Sequence, residues 1–362
     1  MGAASVHGTT KGMQAIVGND NGWLELIDDA RVPELEPDMV LVKNAAVALN
    51  PVDIKMLGKL ATKGAVAGHD FAGTVLDIGS SVWTAAPIKV GDRVCGAVQG
   101  MHSLTPTVGA FGQYVGATDV VLVKVPTHMS FEEAASLGTG IGTMGLALFR
   151  SLQVPGYPTK PASEEKTVLV YGGSTASGTI ALQLLRLSGL RAITTCSPAN
   201  FDLVRSYGAA ECFDYRSKDC IKQIKAYTKN SLKYVVDCVS EPETMELCYA
   251  CIGRSGCRMT TLEPPPSFLH TRAKTVFLDW VLGPALHGKP IDWPEPMKRD
   301  AAPELREFAN KWFITVQQLL DDGKLRPHPL KQMTGGLPAV FEGTELLRKK
   351  AVSGQKLVYS LL

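Results

Sequence analysis

A chain of 362 residues, 45% hydrophobic and 20% charged, has the make-up of an ordinary globular protein and is long enough for two domains of normal size. A net charge of +2 gives no global field to draw in nucleic acid, and nowhere do apolar residues run far enough together to span a membrane. The first residues carry Gly, Ser and Thr without an apolar core, so no signal peptide is expected and the chain reads as cytoplasmic.

In chain order, residues 13–17, 24–27 and 39–46 form short alternating strands around a Pro-rich stretch at 32–37, which is small-barrel patterning. Gly73, Gly79 and Gly91 punctuate further strands at regular spacing. Between them lie Asn50-Pro51-Val52-Asp53-Ile54-Lys55, where a helix starts after the proline, and Gly68-His69-Asp70-Phe71-Ala72-Gly73. Residues 139–146 combine glycines with Ile141 and Leu146, a pattern that suits a core helix.

The apolar run 168–171 passes straight into Gly172-Gly173-Ser174-Thr175-Ala176-Ser177-Gly178 and then into a helical face of Ile180, Ala181, Leu184, Leu185 and Leu187, ended by Gly189. Strand, tight small-residue turn and helix make a phosphate site, because only residues without bulk let backbone approach a pyrophosphate and the helix start supplies N–H donors. Strands at 192–196, 210–213, 234–238 and 258–262, with helical segments between them, extend this to an α/β, doubly wound parallel Rossmann sheet over about 153–324. About twenty residues beyond the turn, where an NAD-selective site places an acid, stand Ser197, Pro198, Ala199 and Asn200, so NADPH is the expected cofactor. Asp202 stands close enough to bear on that choice, and Tyr215 is placed to close over the adenosine.

Eight cysteines, most of them inside these elements, read as buried reduced thiols. Cys248 and Cys251, with Cys257 nearby, have metal-ligand spacing but lack a second pair, and read as structural. The basic clusters Lys298-Arg299 and Arg348-Lys349-Lys350 suit solvated faces or docking points for an acidic partner.

The trio Asn50-Pro51-Val52-Asp53, Gly68-His69-Asp70-Phe71-Ala72-Gly73 and Val90-Gly91-Asp92-Arg93-Val94, the Gly-rich turn and the closing Gly354-Gln355-Lys356-Leu357-Val358 resemble the medium-chain dehydrogenase/reductase superfamily over essentially the whole chain. Within it, Leu169-Val170-Tyr171-Gly172-Gly173-Ser174-Thr175-Ala176, Thr195-Cys196-Ser197-Pro198-Ala199-Asn200 and Asp279-Trp280-Val281-Leu282-Gly283-Pro284 resemble the fungal trans-acting enoyl reductases of highly reducing polyketide synthases.

The resemblance implies a GroES-like β-barrel catalytic domain over 1–152, completed by 325–362, clasping the nucleotide domain at 153–324. It implies an NADPH-dependent enoyl reductase that reduces the α,β-double bond of enoyl thioesters carried on the acyl carrier domain of a partner polyketide synthase, with a monomer as the expected state. Catalytic roles fall to Lys55 and Thr139. The cofactor is expected against Val52, Asp53, Ile54, Lys55, Ser174, Thr175, Ala176, Ser177, Ser197, Pro198, Ala199, Asn200, Tyr215, Leu262, Glu263, Val352 and Ser353. The acyl chain is expected against Thr139, Gly140, Ile141, Gly142, Thr143, Met144, Gly145 and Leu146, and against Leu282, Gly283, Pro284, Ala285 and Leu286, a lining nearly free of charge. The zinc-dependent branch places a Cys at Asn50 and a ligand at His69. Without that thiolate three ligands cannot be assembled, so no metal is expected and His69 should hydrogen-bond locally. A tyrosine found shortly after this motif in mitochondrial-type enoyl reductases is absent, so the resemblance names no proton donor and water can serve. Alternatives are a free-standing zinc-independent quinone or alkenal reductase, and a catalytically silent NADPH-binding protein.

Overall fold

A computed structural model describes residues 12–362; the N-terminal reading above falls on residues 1–11, outside the described residues. The chain opens with a two-stranded antiparallel ribbon, β1 (Met13–Gly18) and β2 (Leu24–Ala30). There follow β3 (Met39–Ala48), the short helix α1 (Pro51–Lys55), β4 (Asp70–Ile78), β5 (Arg93–Ala97), β6 (Tyr114–Thr118) and β7 (Leu122–Lys124). Asn50 precedes α1 in extended backbone, and Pro51 opens the helix with the φ it needs, at a position whose N–H has no helical partner.

Gly73 does not end a strand. It lies inside β4 opposite Asn44, beside a register shift, where a Cβ would come 2.1 Å from the Lys43 carbonyl oxygen. Its role is close backbone approach at a bulge, whereas Gly91, with φ +89°, makes the turn expected of it.

α2 (Phe131–Ala135) and α3 (Gly138–Gly145) lead into the second domain, and α3 continues as a π-helical turn, Leu146–Ser151. Next come β8 (Thr167–Tyr171), α4 (Ala176–Leu187), β9 (Arg191–Cys196), α5 (Phe201–Ser206), β10 (Glu211–Asp214), α6 (Cys220–Tyr227), β11 (Tyr234–Asp237), α7 (Pro242–Cys251), β12 (Cys257–Thr261) and β13 (Val276–Trp280). All pair in parallel in the order β10-β9-β8-β11-β12-β13. The sixth strand, β13, escaped sequence reading because Asp279 cuts its apolar run to three residues. Val168, Leu169 and Val170 are wholly buried because helices cover both faces of the sheet. Each such side chain contributes about 1.5–3 kcal/mol of burial.

The long helix α8 (Pro303–Asp321) then packs across α3, after which β14 (Leu330–Met333), α9 (Val340–Arg348) and β15 (Lys356–Ser360) return to the first domain. There β15 pairs antiparallel with β3, giving the path β14-β15-β3-β4-β5-β7 with β6 also on β3. The chain therefore crosses twice between two domains, and the cleft between them is bridged where Lys55 at the end of α1 pairs with Glu263 beyond β12 and where Asn200 beyond β9 donates to Ser353 ahead of β15. Among the described residues no helix is long and apolar enough to cross a membrane.

Candidate active site

A charge cluster cut off from solvent stands at the base of this cleft. Asp70 begins β4 and Lys356 begins β15; their side chains are 0% and 3% exposed, and Lys356 Nζ lies 2.5 Å from Asp70 Oδ2. Asn50 Nδ2 donates to the same oxygen at 2.9 Å, while Lys356 also donates to Asn50 Oδ1 at 2.9 Å. Asp70 Oδ1 accepts from the backbone N–H of Thr139 at 2.6 Å and from its hydroxyl at 2.7 Å. Burying two ions costs several kcal/mol each, and only such saturated hydrogen bonding offsets it.

Asp53 and His69 form a second buried pair. Asp53 Oδ2 accepts from Asn50 N–H at 2.7 Å, and Asp53 Oδ1 lies 2.6 Å from His69 Nδ1. Both Asp53 oxygens are thus spent inside the protein, so of the expected α1 contacts Val52, Ile54 and Lys55 remain available to the cleft. His69 hydrogen-bonds locally, as expected, and its Nε2 is buried without a partner among the described residues.

These donors do not suit a metal. Asn50, Asp70 and Thr139 bind one another, and the Lys356 ammonium already occupies the cation's place among them. Among the described residues no group of three His, Cys, Asp or Glu side chains is arranged to hold an ion. Cys248, Cys251 and Cys257 are buried, and burial pushes the Cys251 and Cys257 thiols up to about 12.

The residues fit a dinucleotide better. Thr175 caps α4 by accepting from Gly178 N–H at 3.0 Å, which leaves the N–H groups of Ala176 and Ser177 as helix-start donors. Ser174, Thr175, Ala176 and Ser177 are half-buried between fully buried flanks. Gly172, with φ +76°, supplies the turn ahead of them. Lys55 of the first domain pairs with Glu263 of the second, across the cleft. Leu262 N–H donates to Ser240 Oγ at 2.7 Å, fixing the segment that carries Glu263. Beyond β9, Asn200 Nδ2 donates to Ser197 Oγ at 3.1 Å and to Ser353 Oγ at 3.0 Å, so the returning segment reaches the end of β9 at Ser353. Tyr215 packs 6.1 Å from Tyr171, with the Arg216 guanidinium 5.3 Å from its ring. Asp202 is fully exposed and 3.8 Å from Arg205, so it faces solvent.

The expected acyl lining divides. Gly140 and Gly145 are small for packing: a Cβ would meet Ile180 at 2.6 Å and Trp312 at 2.2 Å respectively. Ile141, Met144 and Leu286 are core residues, and Gly142 packs toward Leu286. Thr139, Thr143, Leu146, Leu282, Gly283, Pro284 and Ala285 remain along one side. Of these, Leu146, Leu282 and Ala285 border a cavity of about 270 Å³. That cavity is also lined by Arg150, Asp279, Lys289, Arg299 and Asp300, so charged groups from outside the two segments stand beside their nearly charge-free residues there. Sequence reading passed over Asp70, Lys356, Arg150 and Asp279. The available signal was a lone ionisable residue at the start of an apolar strand, in Asp70-Phe71-Ala72 and Lys356-Leu357-Val358.

Comparison with known proteins agrees with this architecture. The family described as "Alcohol dehydrogenase GroES-like domain" matches residues 36–127, and "Zinc-binding dehydrogenase" matches 176–261. A trans-enoyl reductase of Gibberella zeae is 62% identical over 96% of this chain and 96% of its own length. One of Aspergillus niger is 49% identical over 96% of both. Among solved structures, the CurK enoyl reductase superposes with TM-score 0.74 at 18% identity, over 96% of this chain and 99% of that one. A quinone oxidoreductase of Pseudomonas syringae does so with TM-score 0.73 at 22%, with the same coverage, and these two likenesses speak to the fold alone.

Proposed function

Since the chain belongs to the trans-enoyl reductases of the medium-chain dehydrogenase/reductase superfamily, we propose that it uses NADPH to saturate the α,β-double bond of enoyl thioesters held on the acyl carrier domain of a partner polyketide synthase. The bound cofactor supplies the hydride. The observation that carries the reading is the donor set around Asp70, where an ammonium stands in place of a metal. Polarising the substrate then falls to protein side chains.

Conjugate reduction adds hydride at the β-carbon, moves the π electrons onto the thioester oxygen, and ends with a proton at the α-carbon. Lys55 is the cation at the cleft face, with its side chain 46% exposed, so water can restore any proton it gives. Its ammonium stabilises the developing charge, an effect worth about a hundredfold or more in rate when one oriented donor is removed. Thr139 donates its hydroxyl proton to Asp70, which leaves its oxygen lone pairs for an N–H of the ligand. The cluster therefore orients Thr139 as an acceptor and not as an acid.

Ser174, Thr175, Ala176 and Ser177 hold the pyrophosphate through helix-start amides. Ser197 and Ser353, whose oxygens accept from the Asn200 amide, keep their hydroxyl protons as donors to a 2′-phosphate without a carboxylate to repel it. The test is to incubate the protein with NADPH and an enoyl chain on a candidate synthase's carrier domain and weigh the chain. A gain of two hydrogen atoms supports the reading. Turnover confined to free quinones or enones would move it to the alkenal reductase class, and cofactor binding without turnover to a silent binder.

A further inference from the structure

On the reading above the substrate arrives on a thioester arm, and α3 marks a path for one. Thr139, Thr143, Leu146 and Arg150 recur at the spacing of one helical face, and the π-helical turn 146–151 carries that face onward. The face begins at the Asp70 cluster. Midway, Gly283 lies against it, since a Cβ there would sit 3.1 Å from Thr143 Oγ1. At its far end Leu146 and Arg150 border the 270 Å³ cavity.

We propose that this cavity receives the pantetheine arm of the thioester, with the arm's amides between Asp279 and Arg299 and its phosphate at Arg150. The wall combines apolar surface (Leu146, Leu282, Ala285) with the carboxylates of Asp279 and Asp300, the Lys289 ammonium and two guanidinium groups. A plain hydrocarbon would desolvate those charges with nothing in return, whereas an arm with two amides, a hydroxyl and a gem-dimethyl group meets both kinds of surface. Asp279 Oδ2 accepts from Ser151 Oγ at 2.6 Å, leaving Oδ1 for an amide N–H. Arg299 is held 4.5 Å over the Trp280 ring, and its Nη1 donates to the carbonyls of Pro296 and Lys298. The rest of its fork is left for an amide carbonyl.

Arg150 is exposed and makes no hydrogen bond or ion pair with any described residue, so the cavity opens to solvent beside an uncommitted cation. Asp300 and Lys289 also border it, and the Lys289 ammonium is taken up by Glu36 and Asp38, which leaves Arg150 as the lining cation with no carboxylate or carbonyl partner among the described residues. Length agrees too. From Thr139 to Arg150 the axis runs about 16 Å at about 1.5 Å per residue. The arm's roughly thirteen bonds from sulfur to phosphorus span about 16 Å, at about 1.2 Å per bond when extended.

The test compares one enoyl chain presented as N-acetylcysteamine, pantetheine, 4′-phosphopantetheine and coenzyme A thioesters and on a carrier domain. KM should fall about tenfold from N-acetylcysteamine to pantetheine and several-fold again with the phosphate. Arg150→Ala should erase the phosphate step, and Arg299→Ala should shrink the pantetheine step. A carrier domain and coenzyme A share this arm, so the carrier's own contribution is the remaining KM difference between those two. Equal KM for N-acetylcysteamine and pantetheine thioesters overturns the proposal, as does a phosphate step that survives Arg150→Ala. If no thioester is reduced, the enoyl reductase reading fails. The cavity is then tested by titrating 4′-phosphopantetheine thioether against Trp280 fluorescence, where binding weakened by Arg150→Ala supports the arm site and no binding overturns it.

Discussion

Lys356 Nζ and Asp70 Oδ2, 286 positions apart in sequence, meet at 2.5 Å with no solvent access, and Asp70 in turn holds Thr139 by both its N–H and its hydroxyl. The last strand of the chain, returned from the nucleotide domain, thereby sets a side chain on the helix that links the two domains. Removing the ammonium alone leaves a buried carboxylate uncompensated, so Lys356→Met should cost about 3–5 kcal/mol in urea unfolding. Asp70→Asn added to Lys356→Met should recover part of that loss, because no unpaired charge then remains. Additive losses would show that the pair is not coupled.

The same ammonium repels a divalent cation. Activity should therefore survive chelators, and elemental analysis should find less than stoichiometric zinc. His69→Ala removes one partner of Asp53 and should cost about 1–3 kcal/mol of stability with kcat/KM changed little. Stoichiometric zinc, or activity lost to a chelator and restored by zinc, would refute this.

The nucleotide domain was legible because its signals are local. Continuous apolar strands, the small-residue turn at Gly172 and the helical face that follows it each involve neighbours in sequence, and all appear within a residue or two of where the pattern puts them. The Asp70–Lys356 pair was not legible, since a single lysine in Gln355-Lys356-Leu357 reads as solvated until β15 is known to pair with β3. The glycines of α3 were ambiguous for a related reason. A small residue lets either a ligand or a tryptophan come close, and Trp312 lies far along the chain. The basic clusters are solvated faces, with Arg348, Lys350 and Lys298 exposed while they pair with Glu345, Glu241 and Asp292.

Acid should destabilise the protein through His287. Burial, the first cause, with Lys289 and Arg306 adding to it, lowers its pKa from 6.5 to about 4. The native state thus keeps the ring neutral where the unfolded chain has bound a proton. The stability this group contributes is complete above pH 6.5 and is lost as pH falls toward 4, by up to about 3 kcal/mol. Unfolding measured across that window should steepen for the wild type and flatten for His287→Phe. Parallel curves would place the acid sensitivity elsewhere.

Cofactor choice rests on Ser197 and Asn200 at the end of β9, with Asp202 turned to solvent. kcat/KM should favour NADPH over NADH. Ser197→Asp should reverse that preference by on the order of tenfold or more, because a carboxylate there repels the 2′-phosphate and accepts from ribose hydroxyls. Comparable values for the two cofactors in the wild type would refute the assignment.

Lys55 gives the sharpest test of the chemistry, because its pairing with Glu263 joins the two domains where the cofactor is proposed to lie. Both side chains are partly exposed, so the pair contributes only about 0–1 kcal/mol to stability. Lys55→Ser should then fold normally while turnover at saturating NADPH falls on the order of a hundredfold. Glu263→Gln separates two roles. If Glu263 only restrains the lysine in the resting enzyme, freeing the ammonium should leave kcat close to the wild type. If Glu263 orients it during the reaction, kcat should fall in company with Lys55→Ser and the two losses should not add. A Lys55→Ser enzyme with wild-type kcat and raised KM for NADPH would reduce Lys55 to a cofactor clamp, and the charge on the thioester oxygen would then have to be met by another donor in the cleft.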